Sequence, residues 1–162
     1  MYPNSLFEKY RSKGVLIDTN LLLMVAVGNY SASRILSWKR TQQYTLDDYA
    51  LMLRILEYFP RRVTSPNILT EVDNIARQLP EFEHEAISVA LFQLIANSFE
   101  VYTASAIVTQ TPIYPAIGLT DCVTMSLADE ALVLTDDFEL SNRLANSGRD
   151  ALNINHIRHF SL

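Results

Sequence analysis

Cysteine is nearly missing from this 162-residue chain. Cys122 stands alone, so no internal disulfide framework can form, and no CxxC or Cys/His cluster is present to hold structural zinc. Without disulfides, a reducing cytoplasmic location is the expectation. Glycine and proline are scarce as well, at 4 and 6 residues. That excludes collagen-like and low-complexity designs and favours long regular elements with few tight turns. Charged residues make up 19% of the chain and apolar residues 49%, too little charge for a disordered chain and enough apolar side chain to bury a core. The longest fully apolar run covers residues 21–27, far short of the ~20 residues that span a bilayer. The first residues carry no apolar stretch of leader length, so a soluble chain with no membrane partner is expected. Positive charge is in deficit, 13 Lys and Arg against 18 Asp and Glu, for a net charge of -5. Broad charge-driven binding to duplex nucleic acid relies on many Lys and Arg contacts to phosphate, and this balance argues against it. A local basic face or a cation-bridged phosphate contact stays compatible with it.

What is present reads as alternating strands and helices within one domain spanning residues 1–162. Short branched apolar runs at 14–17 and 131–135 predict buried strands, with weaker strands at 61–64, 99–103 and 151–154. Residues 21–27 predict a buried helix, broken at Gly28-Asn29 before a short helix capped by Ser31 or Ser33. Thr45 opens a helix with Asp47 and Asp48 in its first turn, and Ser65-Pro66 opens another that carries Glu71. A helix over 81–98, an irregular stretch over 104–119, a helix from Thr120 to about residue 130 and a last helix ending near Gly148 complete the expectation. Strand–helix alternation implies crossover connections and a mainly parallel sheet covered on its faces. In such sheets ligands bind beyond the carboxyl ends of the strands.

Two strand runs end in acid at that rim, one in Asp18 and the other in Thr135-Asp136-Asp137, and two more acids, Glu71 and Asp121, stand beside apolar helix faces. If these carboxylates meet, like charges raise one another's pKa unless a cation is present. A hard divalent ion resolves the conflict and favours phosphate substrates. The chemistry that follows is metal-assisted phosphodiester hydrolysis.

At these residues the chain resembles the PIN-domain nucleases. The matching pieces are Ile17-Asp18-Thr19-Asn20, Leu69-Thr70-Glu71-Val72, Gly118-Leu119-Thr120-Asp121 and Leu134-Thr135-Asp136-Asp137, in the family's order. The resemblance implies an α/β fold, a three-layer α/β/α sandwich around a mainly parallel central sheet. It implies an endoribonuclease cutting single-stranded RNA with Mg²⁺ or Mn²⁺, often a homodimer, and frequently the toxin half of a toxin–antitoxin pair with an antitoxin protein as partner. By motif match Asp18, Glu71 and Asp121 take the core acidic positions, with Asn20 and Thr135 as accompanying polar residues. The family pattern Thr-x-Asp selects Asp137 as the fourth acid and leaves Asp136 as its neighbour, and the resemblance implies an ion held chiefly by Asp18 and Asp121, with Glu71 and Asp137 completing the cluster directly or through water.

Each residue also has a plainer reading. Asp18, Asp136 or Asp137 alone reads as a helix cap, and Glu71 alone as a solvated helix position. Asp73, Asp129, Glu130 and Glu139 read as solvent-facing, Cys122 as a buried packing residue, and His84 as a surface residue. His156 and His159 share a spacing of three without a third ligand. Arg34, Lys39, Arg40, Arg61, Arg62 and Arg77 offer a phosphate-tracking rim or ordinary surface charge. Trp38, Tyr44, Tyr49, Tyr58 and Phe59 sit at spacings that suit core packing or a dimer seam better than base stacking. The competing whole-chain reading is a catalytically silent PIN-like scaffold that acts through protein–protein interaction, with the helix after Thr45 mediating assembly.

Overall fold

Branched apolar residues at Val15–Ile17 and Leu132–Thr135 are buried on both sides, as inner strands of a parallel sheet must be. The computed structural model describes residues 3–158, and in chain order these form α1 (Pro3–Tyr10), β1 (Val15–Ile17), α2 (Thr19–Tyr30), α3 (Ala32–Ser37), α4 (Leu46–Tyr58), β2 (Arg62–Thr64), α5 (Pro66–Ala76), a 3₁₀ turn (Glu81–Glu83), α6 (His84–Ala96), β3 (Phe99–Glu100), α7 (Ser105–Val108), α8 (Tyr114–Leu127), β4 (Leu132–Thr135), α9 (Phe138–Asn146), β5 (Ala151–Asn153) and α10 (Ile154–Ile157).

The five strands form one all-parallel sheet in the order β3-β2-β1-β4-β5. From β1 the chain walks outward through β2 to β3, then crosses back to β4 and walks the other way to β5. Right-handed crossovers place the helices of these two walks on opposite faces, which is consistent with a three-layer sandwich. The order reverses between β1 and β4, whose register pairs Val15 with Leu132 and Ile17 with Leu134. Their carboxyl ends therefore lie side by side. No helix among the described residues is long and apolar enough to cross a membrane.

Buried apolar side chains from nearly every element join one core cluster. Helix α2 is its centre: Leu21 through Gly28 are all buried, and α3, α4, α5 and α6 pack on it. A helix apolar on every side needs such surroundings. The expected break at Gly28-Asn29 does not occur, and α2 runs on to Tyr30. Gly28 is there for space, since a Cβ would come within 2.4 Å of the Tyr49 ring of α4. The break falls at Ser31 instead, in extended conformation at φ -160°.

Other departures have local causes. Sequence patterning predicts no helix at residues 3–10, yet α1 buries Leu6, Phe7 and Tyr10, and the Phe7 ring packs at a tilt against Tyr58 and edge-to-face with Phe59. The strand expected over 99–103 shortens to Phe99–Glu100 at an exposed sheet edge. The irregular stretch resolves into α7 and the first turn of α8, and Ile154 begins α10 rather than ending a strand. Helix α4 opens as expected, with Thr45 and Asp48 capping each other. The buried Asp48 also accepts from Arg158 at 2.8 Å, which ties the end of the described chain to α4. Trp38, Tyr44 and Phe59 are buried, and Tyr49 and Tyr58 pack against the core.

Candidate acidic active site

Asp18 leaves β1 in extended conformation and caps α2, its Oδ1 accepting from the Leu21 amide at 3.1 Å. Its own N–H donates to the Leu134 carbonyl of β4 at 3.0 Å, which extends the sheet register by one residue and sets Asp18 beside Thr135. The Thr135 hydroxyl, fully buried, donates to Asp18 Oδ2. The Thr135 hydroxyl oxygen in turn accepts from the Asp137 amide at 2.9 Å. Asp137 then caps α9, accepting from Glu139 and Leu140 amides at 2.6 and 3.0 Å. The plain cap reading is thus true of both Asp18 and Asp137, and capping is what fixes their positions.

Helices supply the other two carboxylates. Ser65 caps α5 ahead of Pro66, and burial of Ile68 and Val72 fixes which way α5 is turned, leaving Glu71 half-buried. Glu71 Oε2 accepts from the Thr19 hydroxyl at 3.1 Å. In α8, Gly118 takes φ 80° and ψ 178° inside the helix, a conformation glycine enters at little cost. The helix restarts there, and Asp121 with Thr124 one turn later faces α5 and the rim.

Asp18, Glu71, Asp121 and Asp137 line a single cleft of about 160 Å³, and Thr19, Asn20, Thr124 and Leu140 complete its walls. Asp136 turns aside, accepting from the buried Tyr44 hydroxyl at 2.5 Å and from Asn20 at 3.3 Å. Of the seven residues singled out in the sequence, the structure therefore brings five to the cleft wall, with Thr135 directly behind Asp18 and Asp136 on the far side of Asn20. Sequence reasoning missed Thr19, Thr124 and Tyr44. Thr124 was findable from its spacing of three from Asp121 on a helix, and Thr19 from its place inside the first matching piece. Tyr44 lies in no motif.

Burial raises the Asp18 carboxyl to about 7, with the neighbouring Asp136 charge adding to it and the Thr135 and Leu21 hydrogen bonds opposing it. Burial also raises Asp121 to about 6, helped by the charges of Asp137, Glu71 and Glu139. Asp121 makes no hydrogen bond among the described residues, so both its oxygens are uncommitted. No cationic side chain lines the cleft, and the sequence holds no Lys or Arg between Arg77 and Arg143.

The basic residues considered for a phosphate rim are mostly engaged elsewhere. Arg34 pairs with the buried Glu83 at 2.8 Å, Arg40 donates to Gln78, and Arg62 donates to the Leu56 carbonyl. Arg77 lies 3.6 Å from Asp73, and Arg61 stacks over the Phe99 ring at 4.0 Å. His84 bonds the Leu79 carbonyl at 2.8 Å, Cys122 is a buried packing residue, and His156 is exposed on α10. His159 lies outside the described residues.

The donor set is all oxygen, like-charged and without an internal cation, which is the chemistry a hard divalent ion suits. Among the described residues, however, no group of three or more acidic, histidine or cysteine side chains is arranged as a ready metal-binding set. Protein donors hold these carboxylates in place: Asp18 accepts from Leu21 and Thr135, Glu71 from Thr19, and Asp137 from Glu139 and Leu140. Mg²⁺ keeps several of its waters in such oxygen sites, so a hydrated ion is the form this lining suits. No protein-family model, curated protein or solved structure matches the chain.

Proposed function

We propose that this chain is a metal-dependent endoribonuclease of the PIN-domain type, hydrolysing phosphodiester bonds of single-stranded RNA. The observation that carries the reading is the convergence of Asp18, Glu71, Asp121 and Asp137 on one cleft at the point where the strand order reverses. Ligands of open parallel sheets bind at that point, and four carboxylates with no cation among them call for one.

In this reading Asp18 and Asp121 would chiefly hold a hydrated Mg²⁺ or Mn²⁺, with Glu71 and Asp137 completing the set directly or through its waters. When bound, the ion lowers the pKa of its water and offsets charge on the phosphate. Asp18, held by Thr135 and the Leu21 amide, fixes the back wall and adds negative field. Asp137 is oriented by α9, Glu71 by Thr19, and Asn20 sits at the mouth. The proposal includes a homodimer and the toxin half of a toxin–antitoxin pair, with an antitoxin that places an Arg or Lys in the cleft.

A second reading, a catalytically silent scaffold acting through protein–protein contact, is favoured by one observation. The seam expected on the helix after Thr45 is not available, since Leu51, Met52, Ile55 and Leu56 of α4 are buried in the core, but helix α6 and the turn before it leave Phe82, Val89 and Phe92 exposed at 85%, 54% and 69%. The experiment that separates the two compares melting temperature with and without Mn²⁺, and cleavage of a mixed single-stranded RNA pool, for the native chain and Asp121→Asn. The nuclease reading expects metal stabilisation and cleavage in the native chain, both lost in the variant. An unmoved melting temperature with intact RNA favours the scaffold.

A further inference from the structure

A second polar cleft, of about 350 Å³, opens beside the acidic one and shares a wall with it. It is lined by Pro66, Asn67, Thr70, Glu71, Asn74 and Thr120. Glu71 belongs to both clefts, and Thr120 precedes Asp121 on α8. Asn67, Glu71 and Asn74 fall at i, i+4 and i+7 on one face of α5, so an amide brackets the shared carboxylate on either side. Among the described residues neither amide makes a side-chain hydrogen bond, and neither do Thr70 and Thr120. Asn67 and Thr120 are partly buried, and Asn74 and Thr70 are exposed.

This lining cannot grip a phosphate by charge, because it holds no cation and one carboxylate. What it offers is neutral donors next to neutral acceptors. An asparagine amide presents one of each side by side, the complement of a Watson–Crick or Hoogsteen base edge, and in RNA side chains reach those edges only where the base is unpaired and splayed out of the helix. The Pro66 ring adds a small apolar surface for the base. We infer that this groove receives the base of a nucleotide adjoining the scissile phosphate, with Asn67 and Asn74 reading its edge. The inference rests on the nuclease reading and deepens it: the enzyme would select unpaired strands at this position, and select among bases, through α5.

The test compares native chain, Asn67→Ala, Asn74→Ala and Asn74→Asp on a randomised single-stranded RNA pool with Mn²⁺, reading the base composition flanking each cut. The expected result is a preference of about tenfold or more at one flanking position in the native chain, the scale of a good amide–base pair. Either alanine variant flattens that preference. Asn74→Asp, which keeps acceptors and loses donors, moves it toward bases with an exocyclic amino group. An unchanged base profile in all three variants, with Asp121→Asn inactive, overturns the inference and leaves the nuclease reading standing. Should the native chain cut nothing, a binding arm decides: the Asn67 and Asn74 side-chain amide signals are followed by NMR on adding short single-stranded RNA or the matched duplex. Shifts with the single strand alone support the groove, and no shift, or equal shifts with the duplex, overturns it.

Discussion

Thr135 at the end of β4 donates its hydroxyl to Asp18 at the end of β1 and takes the Asp137 amide on the same oxygen. One buried hydroxyl thus orients two of the four acids. Thr135→Val keeps the shape and removes the oxygen, leaving a buried carboxylate oxygen and an amide unsatisfied. The expected cost is about 1–3 kcal/mol, read from denaturant midpoints at unchanged m. A variant as stable as native contradicts this role.

The raised carboxyls set the sign of the pH response. Asp18 and Asp121 titrate at about 7 and about 6, above the ordinary 3.8. Between pH ~4 and ~7 the folded chain holds protons that the unfolded chain has released, so metal-free stability falls as pH rises through that window. The melting temperature is expected to be higher at about pH 5.5 than at about pH 8 in the presence of chelator. Asp121→Asn should flatten part of this slope and raise stability at the alkaline end. A melting temperature that climbs over the same range contradicts the burial of Asp18 and Asp121.

Metal reverses that trend, because the carboxylates must be deprotonated to bind. Mn²⁺ at a hundredfold excess over its Kd at pH ~8 is expected to stabilise the native chain by about 2.7 kcal/mol, and the same Mn²⁺ concentration by less at pH ~5.5, where the Kd is weaker. Equal gains at both pH values, or an equal gain in Asp121→Asn, place the ion elsewhere.

Salt dependence should be shallow. Arg34, Arg40, Arg62 and Arg77 are committed to Glu83, Gln78, Leu56 and Asp73, and no cation lines the cleft. Few counterions are then released on binding single-stranded RNA, with a slope of log K against log salt on the order of -1 to -2. A steep slope points to a basic track that the fold does not form around the cleft.

Gly28→Ala drives a methyl into the Tyr49 ring of α4. Overpacking of this kind costs about 1–3 kcal/mol, measured by thermal or denaturant unfolding. Gly28→Ala combined with Tyr49→Leu should recover part of the loss, a coupling read by a double-mutant cycle.

The inner strands, the caps at Thr45, Ser65 and Asp137 and the alternation that yields a parallel sheet were all readable from the chain, because each is set by local pattern. Longer-range causes were not. The role of Gly28 depends on a tyrosine 21 positions away, and α1 is held by contacts with residues near 58 and 59. Within the cleft, acids at strand ends announced themselves, while Tyr44 is tied to Asp136 across 92 positions by a hydrogen bond that no periodicity encodes. The hydrogen bonds that hold Asp18 from Leu21 and Thr135 were likewise invisible before the packing was known.

Asp18 and Thr135 stand 117 positions apart and meet only when β1 and β4 zip together. Pairings of such sequence separation form late, so the pocket has no precursor in a partly synthesised polypeptide. The cleft therefore cannot assemble until β4 and Asp137 have left the ribosome, so its four acids are brought together only after most of the chain has been translated.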